Sequence, residues 1–526
     1  MTVTIATVQI TLRDGSGYLD HIPAEPEGIQ EALKLATSFR PAGYQYTPLF
    51  KRGKTDGRIK LLKHNRFPVG LMGRITGVLD KHGIPYEINA EAAADKPGIS
   101  LDAVGLEGRW YQDEAAEAAL LHPRGVIRCP TGGGKTAIIA RVIAARGKHA
   151  LVVVPTIDLL HQTRGFLTEH LRDFWEHHDT GAPIRIGQLG DGVVDPAPVT
   201  VATGRTAAKA LNVAYESYEF GEYNDKDSTE VDPSALREWI ERIGTLIIDE
   251  AHILGAQTVF DVATKIPAPN KYGFSASPWR DDGADLMIEG ATGPVIYRVG
   301  TKDLVDGGFL VPPVFQVVST RGWWQPAAWG QVCARCGAQR HKEPTEKGWR
   351  WIERCGECNS DRWRSEFQQA YTREIVENQV RNWRIAEMTR QLDGPTLLLV
   401  KQVKHGRLLR DMIPGAVFLS GKDKGHERLA AFNALRAGLT ETLVATTIAD
   451  LGLDLPALRN LVLAAGGKST TRHLQRIGRV ARPYPGKPYA RVIDFDDSHI
   501  HKWFASQAAD RRKIEKEEWR ESGLWI

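Results

Sequence analysis

"IRCPTGGGKT", Ile127–Thr136, is a short apolar run broken by a proline and three glycines and closed by a lysine and a threonine. Upstream, "GVIR" has the texture of a buried strand. Downstream, Ile138, Ile139, Val142 and Ile143 recur at helical spacing, and Gly147 can end the helix. A strand, a glycine-rich turn and a helix in that order can hold phosphate. Glycines let successive backbone N–H groups converge on phosphate oxygens at the positive end of a helix. Pro130, Thr131, Gly132, Gly133 and Gly134 would line such a cradle, Lys135 would reach the β and γ phosphates, and Thr136 would ligate Mg²⁺. The general pattern G-x-x-x-x-G-K-[ST] begins with glycine, where this chain has Cys129. Taken by itself, the stretch could equally be a flexible turn after a strand.

"LIIDEAH" decides between the two. Its apolar run ends in Asp249 and Glu250, as a strand would deliver them to the C-terminal edge of a parallel sheet, where nucleotides bind. Asp249 suits Mg²⁺, and Glu250 suits orienting or deprotonating an attacking water. Farther along, "HLQRIGRVAR" places Gln475, Arg479 and Arg482 at i, i+4 and i+7, one face of a helix. An arginine entering from a facing lobe neutralises charge growing on a γ-phosphate, an effect of roughly 10³–10⁵ in rate. On its own each of these would read as a solvated turn or a basic helix face. Together with the lysine loop they define a nucleotide site.

Short apolar runs alternate with helical stretches from about residue 105: "HALVVVP", "VTVAT", "GTLIIDEAH", "KYGFSASP". The texture returns in "GPTLLLVK", "GAVFLS", "ETLVATT", "RNLVLAAG" and "ARVIDFDD". Runs apolar on both faces suit buried parallel strands covered by helices, so the fold class is α/β with two such lobes. At 526 residues the chain exceeds one core, since domains run to about 100–200 residues. The division expected is an accessory α+β domain over 1–95, a first lobe over 96–300, a linker over 301–320, a cysteine-bearing insertion over 321–368, a second lobe over 369–500 and a surface helix over 501–526. A net charge of +4 excludes a global basic field, so any nucleic-acid surface must be local. The acidic segment Glu216–Asp232 reads as a solvated loop. The N-terminus lacks the pattern of a signal peptide, and no apolar run approaches the roughly 18 residues of a membrane span, so the cytoplasm of a bacterium or of a phage-infected host is the compartment expected, with no membrane partner.

The ordered set "RWYQ", "PTGGGKT", "VVVPTIDLLHQT", "DEAH", "SASPWR", "ATTIADLGLDLP" and "QRIGRVAR" resembles a superfamily 2 helicase. "SASPWRDDG" and "GPVIYRVGTKDLVDGGFLVPP" resemble more narrowly the XPB and UvsW-type branch, and the likeness covers residues 105–320 and 370–497. The resemblance implies two RecA-like lobes that close on ATP and Mg²⁺. It implies that Gln112 reads adenine, that Ser275 and Ser277 couple hydrolysis to lobe movement, and that Gly452 and Asp454 link the second lobe to the nucleotide. Pro155, Thr156, Thr203, Arg205, Lys401 and Thr446 would touch a strand's backbone. The activity implied is an ATP-dependent DNA helicase or translocase moving 3′→5′ on single-stranded, forked or branched DNA, with replication or recombination proteins as partners. Two other functions fit the same residues: an RNA helicase or restriction-system motor, and a nucleotide-switched clamp that binds DNA without stepping.

Two further features lie outside the motor motifs. "CARC" and "CGEC" set Cys333, Cys336, Cys355 and Cys358 in the spacing C-x2-C-x18-C-x2-C, within the zinc-ribbon range. Four thiolates leave no open coordination position, so the zinc would be structural. Around them stand six of the fourteen tryptophans, which either stack on unpaired bases or pack a thin core. The other feature is "KRGKTDGRIKLLKHNR", Lys51–Arg66, with seven basic residues and one acid. Such a strip suits a phosphate backbone, and it resembles the accessory domain ahead of UvsW-type motors; Lys51, Arg52, Lys54, Arg58 and Lys60 are the contacts expected.

Overall fold

In a computed structural model, residues Met1–Leu304 form one compact unit and Val305–Ile526 a second. The structure describes the chain apart from residues 1–6, 14, 21, 23–27, 42, 91–95, 174–183, 214–226, 253–255, 277–283, 324–341, 346–347, 352–353, 356, 359–365, 422, 424, 447–454, 466–469, 520–523 and 526.

The first unit is built on an eight-stranded sheet. Its order is Val193–Asp195, Gly187–Gly190, Val199–Thr203, Ala150–Val154, Thr245–Asp249, Asn270–Ser275, Arg124–Arg128, Val295–Arg298. Every neighbouring pair is parallel except the first, which is a hairpin. The four central strands from Val199–Thr203 to Asn270–Ser275 are buried along their whole length, as runs apolar on both faces require. Register matters for function: Asp249 pairs with Phe274, and Ser275 with Arg128. The C-terminal ends of three adjacent strands therefore come level at one edge.

The N-terminal domain is a four-stranded sheet, Arg66–Pro68, Ser16–Asp20, Val8–Arg13 and Tyr86–Ala90 in order, packed by helices Ile29–Ala36 and Met72–Lys81. It is docked on the first lobe. Leu286 of the lobe joins its core, Arg74 grips Glu289 with two hydrogen bonds of 2.8 and 2.7 Å, and Gly70 lies so close to the Glu289 carbonyl that a Cβ would come within 2.0 Å of it.

The second unit carries a seven-stranded, wholly parallel sheet: Val417–Leu419, Thr442–Ala445, Thr396–Leu399, Asn460–Leu463, Ala490–Asp496, Pro313–Ser319, Leu524–Trp525. Two expectations change here. Residues 301–320 are not a bare linker: Thr301–Asp306 is helical and Pro313–Ser319 is a sheet strand, with Val314 and Phe315 buried. Nor is the C-terminal helix, Lys502–Trp519, a surface helix. Arg511 makes hydrogen bonds of 2.8 and 3.2 Å to Asp494, Glu515 pairs with His473 at 2.6 Å, and Trp519 is buried. Its buried face mixes Phe504, Ala508 and Trp519 with Arg511 and Glu515, so the charged pair interrupts the apolar stripe that marks a docked helix.

Candidate functional site

The glycine turn leaves strand Arg124–Arg128 and enters helix Lys135–Arg146 as the sequence predicts. Gly132 and Gly134 take left-handed backbone, φ 89° and 75°, which side-chain-bearing residues seldom adopt. Gly133 is glycine for a different reason: a Cβ there would meet Cys129 Sγ at 2.5 Å and Leu304 Cδ1 at 3.1 Å. Cys129, which departs from the general motif, thus forms the floor of the loop. It is fully buried, and burial pushes its thiol up to about 12, so it packs and does not react. The N–H groups of Lys135 and Thr136 fall in the first helical turn, where no intrahelical acceptor exists. Thr131 Oγ1 is buried with no hydrogen-bond partner among the described residues. Free donors, a positive helix end and an orphaned hydroxyl fit a bound phosphate chain.

Lys135 Nζ lies 2.9 Å from Glu250 Oε1, both side chains about nine-tenths buried. Burial opposes the lysine's charge, but Glu250 and Asp249 outweigh it and hold its pKa above the ordinary value. Burial and the Glu250 charge together push Asp249 up to about 7, against the pull of Lys135. One ammonium facing two carboxylates leaves negative charge in excess, which a divalent cation could balance, and Asp249 and Thr136 are the side chains that could hold it. Glu250 sits at φ 48°, left-handed and costly for a glutamate, and its N–H donates to Asp249 Oδ1 at 2.9 Å. His252 Nδ1 stands 2.5 Å from Ser275 Oγ and 3.4 Å from Glu250 Oε2. That histidine bridges the acidic strand end to the neighbouring serine.

Gln112, expected at adenine, is buried with its Nε2 3.4 Å from the Gly133 carbonyl. Beside it are two residues the sequence reading missed. Tyr111 Oη donates to the same carbonyl at 2.8 Å, and Arg109 donates to Tyr111 Oη at 3.0 Å. Both were legible only as members of "RWYQ"; their hold on the loop is a tertiary contact.

The expected strand contacts divide. Thr156 and Thr203 cap the helices Ile157–His170 and Gly204–Ala210, and both are buried. The Thr203 hydroxyl is held by Asp227 Oδ2 at 2.5 Å, and Thr206 Oγ1 donates to the same oxygen at 2.7 Å. Thr203 therefore positions the turn that carries Arg205 and does not offer its own hydroxyl. Asp227 also corrects the solvated reading at the end of the acidic segment, because it is 1% exposed and accepts from Thr229 as well, while residues 216–226 lie outside the described residues. Pro155 is buried at the end of its strand.

In the second unit Lys401 is exposed at the end of strand Thr396–Leu399, its ammonium 5.6 Å from the Tyr371 ring centre. Thr446 is buried after strand Thr442–Ala445. Gln475 and Arg479 lie on helix Thr470–Val480, but Arg482 falls beyond its end, so the three do not share one helix face. Lys487 anchors that exit by donating to the Arg482 and Pro456 carbonyls at 2.8 and 3.0 Å. Gly452, Asp454 and Ser277 lie outside the described residues.

Of the four paired cysteines, Cys333 and Cys336 lie outside the described residues, Cys355 is buried and Cys358 is half-buried. Among the described residues no group of three or more His, Cys, Asp or Glu side chains could hold a metal. Between the two pairs, Lys342–Thr345 and Gly348–Trp351 form an antiparallel hairpin. Trp323 packs against Phe495 in the second lobe's core. In the N-terminal strip Lys51, Arg52, Lys54 and Lys60 are exposed, Lys60 lies 3.4 Å from Asp56, and Arg58 is half-buried against Ser38. Among the described residues no helix is long and apolar enough to cross a membrane.

Three family models match the chain: DNA helicase UvsW, N-terminal, over residues 19–89; type III restriction enzyme, res subunit, over 105–280; and helicase conserved C-terminal domain over 382–484. The chain is 25% identical over 499 residues to the ATP-dependent DNA helicase uvsW of Enterobacteria phage T4, covering 88% of this chain and 85% of that protein. It is 26% identical over 428 residues to the DNA 3'-5' translocase XPB2 of Sulfurisphaera tokodaii, covering 76% and 85% respectively. A fragment of a putative HsdR subunit of a type I restriction enzyme from Vibrio vulnificus shares the fold at 15% identity and a TM-score of 0.50, covering 97% of this chain and 84% of that one.

Proposed function

The chain belongs to the superfamily 2 helicases, and from that premise we propose that it is an ATP-dependent DNA helicase or translocase working on forked or branched DNA. The observation that carries this reading is the buried set Lys135, Asp249 and Glu250 at the C-terminal edge of the first sheet, beneath a glycine turn with unclaimed N–H groups. ATP with Mg²⁺ supplies the phosphoanhydride to be cleaved. Lys135 would exchange Glu250 for the β and γ phosphates, and Asp249 with Thr136 would hold the metal. The exchange frees Glu250 Oε1 to accept a proton from water. His252 would report the state of Glu250 to Ser275 through the contacts already present. Arg479, Arg482 and Gln475 would close on the γ-phosphate from the second lobe, and their release after hydrolysis would move the lobes along a strand.

DNA as the track is supported by the likeness to uvsW and XPB2, and 3′→5′ as the direction by the likeness to XPB2. Contacts from Lys51, Arg52, Lys54, Arg58 and Lys60 would add a salt-sensitive grip on duplex arms. A structural zinc on Cys333, Cys336, Cys355 and Cys358 is supported by their spacing and by the hairpin between the two pairs. Replication or recombination proteins are the partners such work calls for.

The test compares ATPase and strand-displacement rates on single strands, forks, four-way junctions and RNA, for wild type, Lys135→Ala and Glu250→Gln. Forked or branched DNA should stimulate wild type most, and both variants should lose turnover. Equal DNA-stimulated turnover in wild type and Glu250→Gln removes the catalytic assignment. Stimulation by RNA above that by DNA moves the chain to the RNA helicases. Full biological function in Lys135→Ala would leave only a clamp.

A further inference from the structure

Within the first unit, the N-terminal domain and the lobe enclose a half-open cavity of about 490 Å³. It lies at the opposite edge of the sheet from the glycine turn. Arg124, first in its strand, and Lys271, second in the adjacent one, pair directly across them. Lys60, Lys63, His64 and Arg66 face them from the N-terminal domain, and none of the 17 lining residues is acidic.

Lys271 has a structural duty. It is 1% exposed, burial and the Arg124 charge hold its pKa well below the ordinary value, and its amino group donates to the Ala263 carbonyl, which lacks the usual helical donor because the residue four positions on is Pro267. Arg124 has none: among the described residues its guanidinium makes no hydrogen bond and pairs with no carboxylate, although burial lowers its pKa to about 10. Gly15 leaves both side-chain ends uncovered, since a Cβ there would rest in van der Waals contact 3.5 Å from Lys271 Nζ and 3.8 Å from Arg124 Nη2. The opposite wall is set in advance. Lys63 and Arg66 exchange both backbone hydrogen bonds at 2.9 Å, with His64 and Asn65 held at φ 48° and 60° between them. Arg66 is fixed by the Ser16 hydroxyl at 3.0 Å and lies over the Tyr18 ring. Cations gathered in a partly desolvated cleft without an acid repel one another, and a multivalent anion relieves that cost.

We propose that this cavity binds a phosphoryl group, carried either by the end of a nucleic-acid strand or by a free phosphorylated molecule. The site is separate from the glycine loop and does not depend on the ATPase reading. A Lys135→Ala background weakens the glycine loop as a competing site. Inorganic pyrophosphate titrated by calorimetry into the full-length Lys135→Ala chain should bind saturably. Adding Arg124→Gln, or Lys63→Ala with Arg66→Ala on the exposed turn, should weaken that binding about tenfold or more. The turn variant keeps the test valid if Arg124→Gln fails to fold. Duplexes with 5′-phosphate and 5′-hydroxyl ends distinguish the sources. Preference for the phosphate end that disappears in the same variants assigns a strand end; no preference, with pyrophosphate binding still variant-sensitive, assigns a free ligand. Absence of pyrophosphate binding, or binding that neither variant changes, overturns the proposal. Wild-type DNA-stimulated ATPase, measured alongside, shows whether the motor reading stands independently.

Discussion

Gly133→Ala isolates the packing beneath the phosphate loop. Gly133 has ordinary backbone, unlike its neighbours, so the only penalty for alanine is space. The new methyl would meet Cys129 Sγ at 2.5 Å, well inside van der Waals contact, with Leu304 Cδ1 and the Pro130 carbonyl each at 3.1 Å. Overpacking of this kind costs about 1–3 kcal/mol, and the loop can relieve it by lifting away from the phosphate path. A loss of about 2 kcal/mol corresponds to a fall of roughly thirtyfold in kcat/KM for ATP. Cys129→Ala removes the sulfur and keeps the Cβ, so by itself it should cost stability of only about 1 kcal/mol and leave turnover within about threefold. The double variant should recover most of the loss, a coupling of at least about 1 kcal/mol in a double-mutant cycle read by steady-state DNA-stimulated ATPase. Gly134→Ala is the control: its strain comes from φ 75° and from Gln112 Nε2 2.7 Å from the new Cβ, neither of which Cys129→Ala can relieve. If Gly133→Ala is as active as wild type, or if the double variant is no better than Gly133→Ala, Cys129 is not the floor that sets the loop.

Removing Arg511 as alanine strands a buried Asp494 carboxylate, so urea unfolding of the full chain should show the second unit destabilised by about 3–5 kcal/mol; a change below about 1 kcal/mol would mean the helix is held by apolar contacts alone. His405 is fully buried against Asn382, and burial with the nearby Arg381 charge holds its pKa well below the ordinary value. Below about pH 6.5 the unfolded chain gains a proton there that the native chain refuses, so stability falls as pH falls, by up to about 1.4 kcal/mol per pH unit. His405→Gln should flatten that slope between pH 5 and 7 in denaturant titrations, and an unchanged slope would assign the acid sensitivity elsewhere. Elemental analysis of the purified chain should find zinc that falls away in Cys333→Ser and Cys355→Ser; zinc content identical in those variants, or none in wild type, would remove the metal from the insertion.

The motor's plan was legible because each part is local. A strand, a glycine turn and a helix follow one another in Ile127–Thr136, and "LIIDEAH" ends its own strand with its own acids. Buried parallel strands announce themselves by apolar runs, and the sheet of each unit follows them. Errors arose where a residue's duty depends on a partner distant in the chain. Asp227 looked solvated in an acidic segment, yet Thr203 and Thr206 close around it from another element. Lys502–Trp519 reads as a surface helix because charged Arg511 and Glu515 sit among its buried anchors Phe504, Ala508 and Trp519. Arg482 shares a face with Arg479 only on a helix that continues past Val480, and this one ends there.

By itself, then, the sequence determined that Lys135 opens a helix after a glycine turn and that Asp249 and Glu250 close a buried strand, since short-range order places them there. Tertiary structure decided that Cys129 supports the loop, that Tyr111 and Arg109 grip it, and that Arg124 and Lys271 meet the N-terminal domain around an acid-free cavity. Those outcomes depend on register between strands and on docking between domains. Both are set by packing over the whole unit, and no local stretch of residues encodes them.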